Sequence, residues 1–234
     1  MPNEDLIDVE IKRDEFHRRL GGGIPLGSLM LIEGKYGFGK SIICQRLVYG
    51  ALSHDKKVTY ISNELSTKDF IRQMESVRYD VTDFLLDQKL LFIPMFPLLG
   101  QVVFRKDLIN RLMDSKDLFR NDLIVIDTLS FLIVQDNATE KKCFEVMKFF
   151  KMMADLDKTV IFTADPEHLN MNLLTLVRSM CDIHFELVQK TIGGDVKRLI
   201  SVNRFKRSRE LVQPIIPFRV EPNEGLGIEI SSMV

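Results

Sequence analysis

The feature that most constrains this chain is residues 34–41, Gly-Lys-Tyr-Gly-Phe-Gly-Lys-Ser, set between the apolar run Leu29-Met30-Leu31-Ile32 and the helical-looking segment Ile42–Leu52. The run fits the phosphate-loop pattern G-x-x-x-x-G-K-[ST]. A glycine-rich turn from a buried strand into a helix aims backbone N–H groups at one point, where the helix dipole also favours an anion. Polyphosphate is the ligand this geometry suits. Gly34, Gly37 and Gly39 would supply the torsions and the close backbone approach that a side chain obstructs. Lys40 would reach the β- and γ-phosphates, and the Ser41 hydroxyl would ligate Mg²⁺. With Tyr36, Phe38 and Ile42, these residues make up the candidate contact set. The rival is a surface turn that ends in Gly-Lys-Ser by coincidence, and the strand-to-helix setting argues against it.

A loop of this kind needs a sheet to carry it. Strand-like and helical runs alternate along the 234 residues as expected of an α/β chain with a mostly parallel sheet covered on both faces. Strands are expected at Ser28–Glu33, Val58–Ser62, Leu90–Pro94, Leu123–Ile126 and Thr159–Thr163. Between them, apolar residues at three-to-four spacing predict helices over Lys40–Ser53, Thr67–Val77, Phe104–Phe119 and Thr139–Leu156. In the last of these, Phe144, Met147, Lys148, Lys151 and Met152 alternate between core and solvent faces. After Asp182 the pattern turns strand-rich. Ile183–Lys190 and Val196–Arg204 read as a hairpin through Gly193-Gly194-Asp195, and Ile215–Val220 and Leu226–Ile230 read as edge strands. Pro214, Pro217 and Pro222 suit edges or turns. With no repeat, low-complexity tract or linker, residues 1–234 are expected to form a single domain.

Charge and cysteine usage narrow the function classes. Thirty-two basic and 33 acidic residues give a net charge of −1, which offers no global field for nucleic acid or anionic lipid. Cys44, Cys143 and Cys181 lack metal-ligand or C-x-x-C spacing and read as buried small hydrophobes in a reducing compartment. The polar, acidic N-terminus lacks the order of a signal peptide. No stretch approaches the ~20 apolar residues of a membrane helix. Leu123–Ile126 and Leu129–Val134, divided by Asp127 and Thr128, read as core, and a cytoplasmic location is expected.

Hydrolysis would require more than the loop. Asp122-Leu-Ile-Val-Ile-Asp127 places a carboxylate at the end of a second buried strand, where it would hold Mg²⁺ through water; otherwise Asp127 caps the following segment. Glu64, just after the strand Val58–Ser62, could orient an attacking water or instead cap the helix near Thr67. Thr163-Ala164-Asp165 could sense the γ-phosphate or simply begin the turn before Pro166. Arg204, Lys206, Arg207 and Arg209 could reach a neighbouring subunit's phosphates, bind nucleic acid or be solvated.

The stretch from Leu20 through Gly21-Gly22-Gly23-Ile24-Pro25-Leu26-Gly27 to Ser41 resembles the RecA/KaiC family of ATPases, in which a Gly-Gly-Gly-x-Pro-x-Gly lead-in precedes the Walker A loop. The similarity spans most of the chain. It implies a RecA-like P-loop fold with a C-terminal antiparallel extension, Glu64 at the catalytic glutamate position, Asp127 as the Walker B aspartate, and Pro217-Phe218 near the domain end. Lys40, Glu64 and Asp127 are the catalytic candidates, and Ser41 and Asp127 the metal ligands. Two departures, Leu65 after Glu64 and only a loose match of Arg204-Phe-Lys206-Arg207 to the Lys-x-Arg finger, speak against rapid turnover. Length and charge look most like the ATP-binding component of the archaeal swimming motor, the archaellum. That likeness implies a regulatory, slowly hydrolysing ATP and Mg²⁺ binder peripheral to a membrane. It would work with the motor ATPase and membrane platform, either docking as one subunit or forming a homo-oligomeric ring, without nucleic acid. The alternatives are an active KaiC-like ATPase or autokinase and a RecA-type DNA-binding recombinase paralogue.

Overall fold

The structure, a computed structural model, describes residues 5–95, 107–192 and 194–229. Two short strands, β1 (Leu6–Ile7) and β2 (Ile24–Pro25), pair antiparallel around the helical turn α1 (Phe16–Arg19). The chain then runs β3 (Leu29–Glu33), α2 (Lys40–Ser53), β4 (Val58–Ser62), α3 (Thr67–Ser76), α4 (Thr82–Leu86) and β5 (Leu90–Pro94). There follow α5 (Leu108–Asp114), β6 (Leu123–Asp127), α6 (Leu129–Gln135), α7 (Glu140–Ala154), β7 (Thr159–Ala164) and α8 (Met171–Met180). The last strands are β8 (Ile183–Ile192), β9 (Asp195–Phe205), β10 (Ile215–Glu221) and β11 (Gly225–Ile228).

All but the first two strands join one sheet in the order β5-β4-β6-β7-β3-β8-β9-β10-β11. Neighbours are parallel from β5 to β8 and antiparallel from β8 to β11. Every residue of β3, β4, β6 and β7 is buried, as expected where helices cover both faces. The two-residue alternation sorts them. Met30, Ile32, Leu123 and Val125 face a core shared with α2, α3 and β10, while Leu29, Leu31, Ile124 and Ile126 face one shared with α6, α7 and α8.

Several sequence expectations are corrected. The helix expected over Phe104–Phe119 is broken: α5 ends at Asp114, and a 3₁₀ turn takes Lys116–Phe119. The Ser115 hydroxyl donates to the Arg111 carbonyl at 2.7 Å, and the tighter turn lays Phe119 edge-on against Phe149, centroids 4.9 Å apart. Phe104–Lys106, Gly193 and Ile230 lie outside the described residues. β10 is not an edge strand, because β9 and β11 flank it. Pro217 is tolerated there because its carbonyl accepts from the Glu229 N–H at 3.0 Å, which places its own missing N–H on the β11 side, past that strand's end. In α7, Met147 is buried whereas Phe144 and Met152 remain about half exposed. The expectations did not include β1, β2, α1, α4, α6 or α8. The signal for α8 was present, since Asn170 accepts from the Leu173 N–H at 2.9 Å as an N-cap and Leu173, Leu174 and Val177 form its buried stripe. All three cysteines are buried free thiols, and no described helix is long and apolar enough to cross a membrane.

Candidate nucleotide-binding site

Register explains why the candidate residues meet. Glu33 pairs with Ala164, Ile126 with Phe162, and Ser62 with Asp127, so β3, β7, β6 and β4 end level with one another. The segments leaving these strands therefore crowd one rim, at the carboxyl ends where open parallel sheets bind ligands.

Gly37 and Gly39 adopt φ of 78° and 103°, which side chains resist, whereas a Cβ on Gly34 would lie 2.9 Å from that of Leu187. Gly39 is the N-cap of α2 and brings no capping side chain, leaving the first-turn N–H groups for a ligand. A cleft of about 260 Å³ is lined by Tyr36, Gly37, Gly39, Lys40, Ser41, Ile42, Glu64, Gln73 and Thr128. Gly34 and Phe38 are set back: the Gly34 carbonyl accepts from Lys40 Nζ at 2.6 Å, and Phe38 packs on the larger core. Lys40 Nζ also donates to the Lys35 carbonyl at 3.0 Å and stands 3.7 Å from Asp165. This donor set fits a triphosphate: convergent amides, one ammonium, and open space beside Gly37 where a Cβ would meet nothing within 4 Å. Sequence reading missed Gln73 and Thr128. Thr128 directly follows Asp127 and could have been inferred, but Gln73 arrives only through the packing of α3.

Asp127 lies behind this cleft, buried, with Oδ2 accepting from the Tyr60 hydroxyl at 2.9 Å and Oδ1 from the Thr163 hydroxyl at 2.8 Å. It does not cap α6, whose N-cap is Thr128. Asn63 braces the same corner: its N–H donates to the Asp127 carbonyl at 2.9 Å and its amide to the Thr128 carbonyl. Burial first, and the Asp127 charge second, push the Tyr60 hydroxyl and Cys44 thiol well above their ordinary pKa values, so both stay neutral.

Glu64 is accessible at the cleft wall, and the cap of α3 is instead Ser66, whose Oγ accepts from the Asp69 N–H at 3.0 Å. Its carboxyl is raised above the usual range by lost hydration and then by Asp127, against the pull of Lys40 and His168. A carboxylate lifted toward neutral pH is the better proton acceptor. Asp165 does begin a turn, accepting from the Glu167 N–H at 3.0 Å, but the same carboxylate faces Lys40. Its N–H donates to Ser130 Oγ at 2.9 Å, and that hydroxyl contacts His168 Nδ1 at 3.1 Å.

In the basic cluster Lys206, Arg207 and Arg209 lie at the exposed surface, as the solvated reading expects, and the cluster also bonds to its own chain. Arg204 Nη1 donates to the carbonyls of Arg178, Ser179 and Cys181, closing the C-terminal end of α8. Arg207 donates to the Leu26 and Gly27 carbonyls at 2.9 and 2.8 Å, and Lys206 pairs with Asp182 at 3.2 Å. Carbonyls at a helix end and a lead-in turn claim Arg204 and Arg207, and such partners are invisible in sequence.

Glu33, the last residue before the loop, is held by Arg178 through Nε at 2.7 Å and Nη2, and by His184 Nε2 at 3.0 Å. Burial alone would raise its carboxyl, but hydrogen bonds from His184 and Arg178 and their charges prevail, bringing it from 4.5 to about 2. A depressed carboxyl stabilises the fold above its unfolded pKa, so this contribution is expected to be lost as pH falls from about 4.5 toward 2. It amounts to on the order of 3 kcal/mol. Guanidinium titrations across that window should show the loss in the wild type and a much smaller slope in Glu33→Gln.

A family model described as "ATPase: KaiC" matches residues 10–232. The archaeal flagellar ATP-binding protein FlaH of Methanocaldococcus jannaschii is 37% identical over 229 residues, covering 98% of both chains. The FlaH of Sulfolobus acidocaldarius is 31% identical, covering 95% of this chain and 96% of its own. The crystal structure of the M. jannaschii protein superposes with a TM-score of 0.90 over 97% of this chain and 100% of that one. A KaiC-like protein from Pyrococcus horikoshii, at 17% identity, matches with a TM-score of 0.74 over 96% and 99%, a likeness of fold.

Proposed function

This chain belongs to the KaiC ATPase family, and from that premise we propose that it is an ATP-binding regulatory component of the archaeal swimming motor that turns over slowly at most. The family implies nucleotide binding. The names of the similar FlaH proteins support the motor context. The observation that carries the regulatory reading is the pairing of a complete phosphate cradle with a basic cluster, Arg204, Lys206 and Arg207, spent on its own carbonyls and Asp182. With these three cations already engaged, none of them serves as a finger for charge developing on the γ-phosphate, and binding without fast cleavage is the expected outcome.

Within this reading Lys40 and the amides of residues 37–42 grip the phosphates. Ser41 directly and Asp127 through water would hold Mg²⁺, which neutralises phosphate charge when bound. Glu64 accepts a proton from water at the cleft wall. Tyr60 and Thr163 keep the Asp127 carboxylate oriented from both sides. The protein works in the cytoplasm as one ATP-binding domain, docking on the motor ATPase and membrane platform, and ATP occupancy sets its docking or oligomeric state. Such control requires a docked state that binds ATP better than the free one.

Calorimetric titration of Mg-ATP with and without the motor ATPase tests this directly. Coupling is reciprocal, so the partner should change the ATP affinity at least several-fold. Equal affinities would overturn the regulatory reading. Phosphate release separates it from an active ATPase: turnover is expected well below the ~10 s⁻¹ typical of enzymes. In Glu64→Gln the residual release should fall a further ~10²-fold while ATP affinity stays within a few-fold.

A further inference from the structure

The C-terminal end of α2, opposite the phosphate loop, carries a second cluster of ligand-type side chains. We propose that Asp8, Glu10 and His54 form a site for one divalent cation of the Zn²⁺ or Mn²⁺ class. One ligand atom from each residue lies within 4.8 Å of the other two.

The hydrogen bonding around the cluster argues for a cation between them. His54 caps the end of α2, and its Nδ1 lies 2.9 Å from the Gly50 carbonyl, which assigns the ring proton to that nitrogen. The Nε2 lone pair then faces Asp8 Oδ2 at 3.7 Å, acceptor against acceptor. Metal-bound imidazoles commonly secure their other N–H on a backbone carbonyl in this way. Asp8 Oδ1 already accepts from the Glu10 N–H at 2.8 Å and lies 3.2 Å from His17 Nδ1, leaving Oδ2 for the His54 side. His17 Nδ1 is itself within 3.4 Å of the Val9 N–H. Among the described residues the Glu10 carboxylate has neither a hydrogen-bond donor nor an ion-pair partner, although it borders the His54 imidazole and a second carboxylate. The carbonyl end of a helix adds a further preference for positive charge.

One imidazole nitrogen and two carboxylates suit a borderline metal that completes its shell with water, whereas Ca²⁺ takes six to eight oxygens. The cation would clip residues 5–14 to α2, where the Arg46 guanidinium already reaches Asp14 and the Val9 carbonyl. The 14 residues of α2 hold it roughly 20 Å from Lys40, so it stands apart from the nucleotide cleft.

Thermal unfolding of the full, nucleotide-free chain with ZnCl₂ or MnCl₂ alone tests the proposal. At a hundredfold excess over Kd the midpoint should rise by about 5 °C or more and saturate. Glu10→Ala and His54→Gln, both at partly accessible positions, should each weaken the response at least tenfold while binding Mg-ATP as the wild type does. The three thiols are buried and do not compete. Absence of any saturable rise would overturn the proposal. A rise retained in both variants would equally overturn it, placing the metal elsewhere.

Discussion

Lys40→Ala is expected to weaken Mg-ATP binding by roughly 10- to 100-fold, the largest effect of any single change at the cleft. Its ammonium offers charge-assisted hydrogen bonds worth about 1.5–3 kcal/mol each, and a triphosphate would replace the Gly34 and Lys35 carbonyls it now serves at 2.6 and 3.0 Å. The loss goes beyond one contact. Asp165, 3.7 Å away and buried, would then face the incoming phosphates with no cation between them. The double variant Lys40→Ala/Asp165→Asn should therefore recover part of the affinity, and calorimetric titration of all three proteins gives the coupling. If Lys40→Ala binds as tightly as wild type, the phosphate role assigned to this lysine is wrong.

Arg46→Met is expected to destabilise the fold by about 3–5 kcal/mol, the usual consequence of stranding one partner of a buried ion pair. Arg46 is fully buried on α2. Its Nε and Nη2 grip the Asp14 carboxylate at 2.7 and 2.6 Å, and its Nη1 holds the Val9 carbonyl at 2.6 Å. The substitution leaves the Val9 carbonyl without its side-chain donor and the Asp14 carboxylate with the Phe16 N–H at 3.0 Å but no cation, and in a chain of this size the unfolding midpoint should fall by roughly 10 °C. Arg46→Met/Asp14→Leu removes the stranded charge and should regain most of the loss, because a buried ion pair is often replaceable by apolar packing. A single variant that melts within about 2 °C of wild type would show that the N-terminal segment contributes little to holding α2.

The legible part of the chain shares one property. The phosphate loop is eight consecutive residues whose glycines and lysine act through local torsion and helix position, so β3, the turn and α2 lie where the spacing puts them. The five central strands follow from apolar runs bounded by turns. The continuous helix expected over Phe104–Phe119 fails because periodicity reports which face is apolar and carries no information about the Ser115 hydroxyl turning back on Arg111. α8 escapes the strand-and-helix reading even though Asn170 and the Leu173-Leu174-Val177 stripe announce it.

The site shows the same division. Asp127 and Glu64 are recognisable as carboxylates at strand ends, but the groups that tune them come from other strands: Tyr60 from β4 and Thr163 from β7 bracket Asp127. Inserting β7 between β3 and β6 is what sets Asp165 against Lys40, and no spacing along the chain encodes that order. The basic run after β9 is ambiguous for the same reason, since whether an arginine reaches a ligand or a bare carbonyl depends on which helix ends beside it. The sequence alone determined the glycine-rich loop between β3 and α2, the α/β alternation and the family, because these rest on torsions and periods among neighbouring residues. Only the tertiary structure decided which side chains the cradle faces and which cations are already spent, because crossover connections bring together groups as far apart in the chain as the 36 residues from Asp127 to Thr163 and the 180 from Gly27 to Arg207.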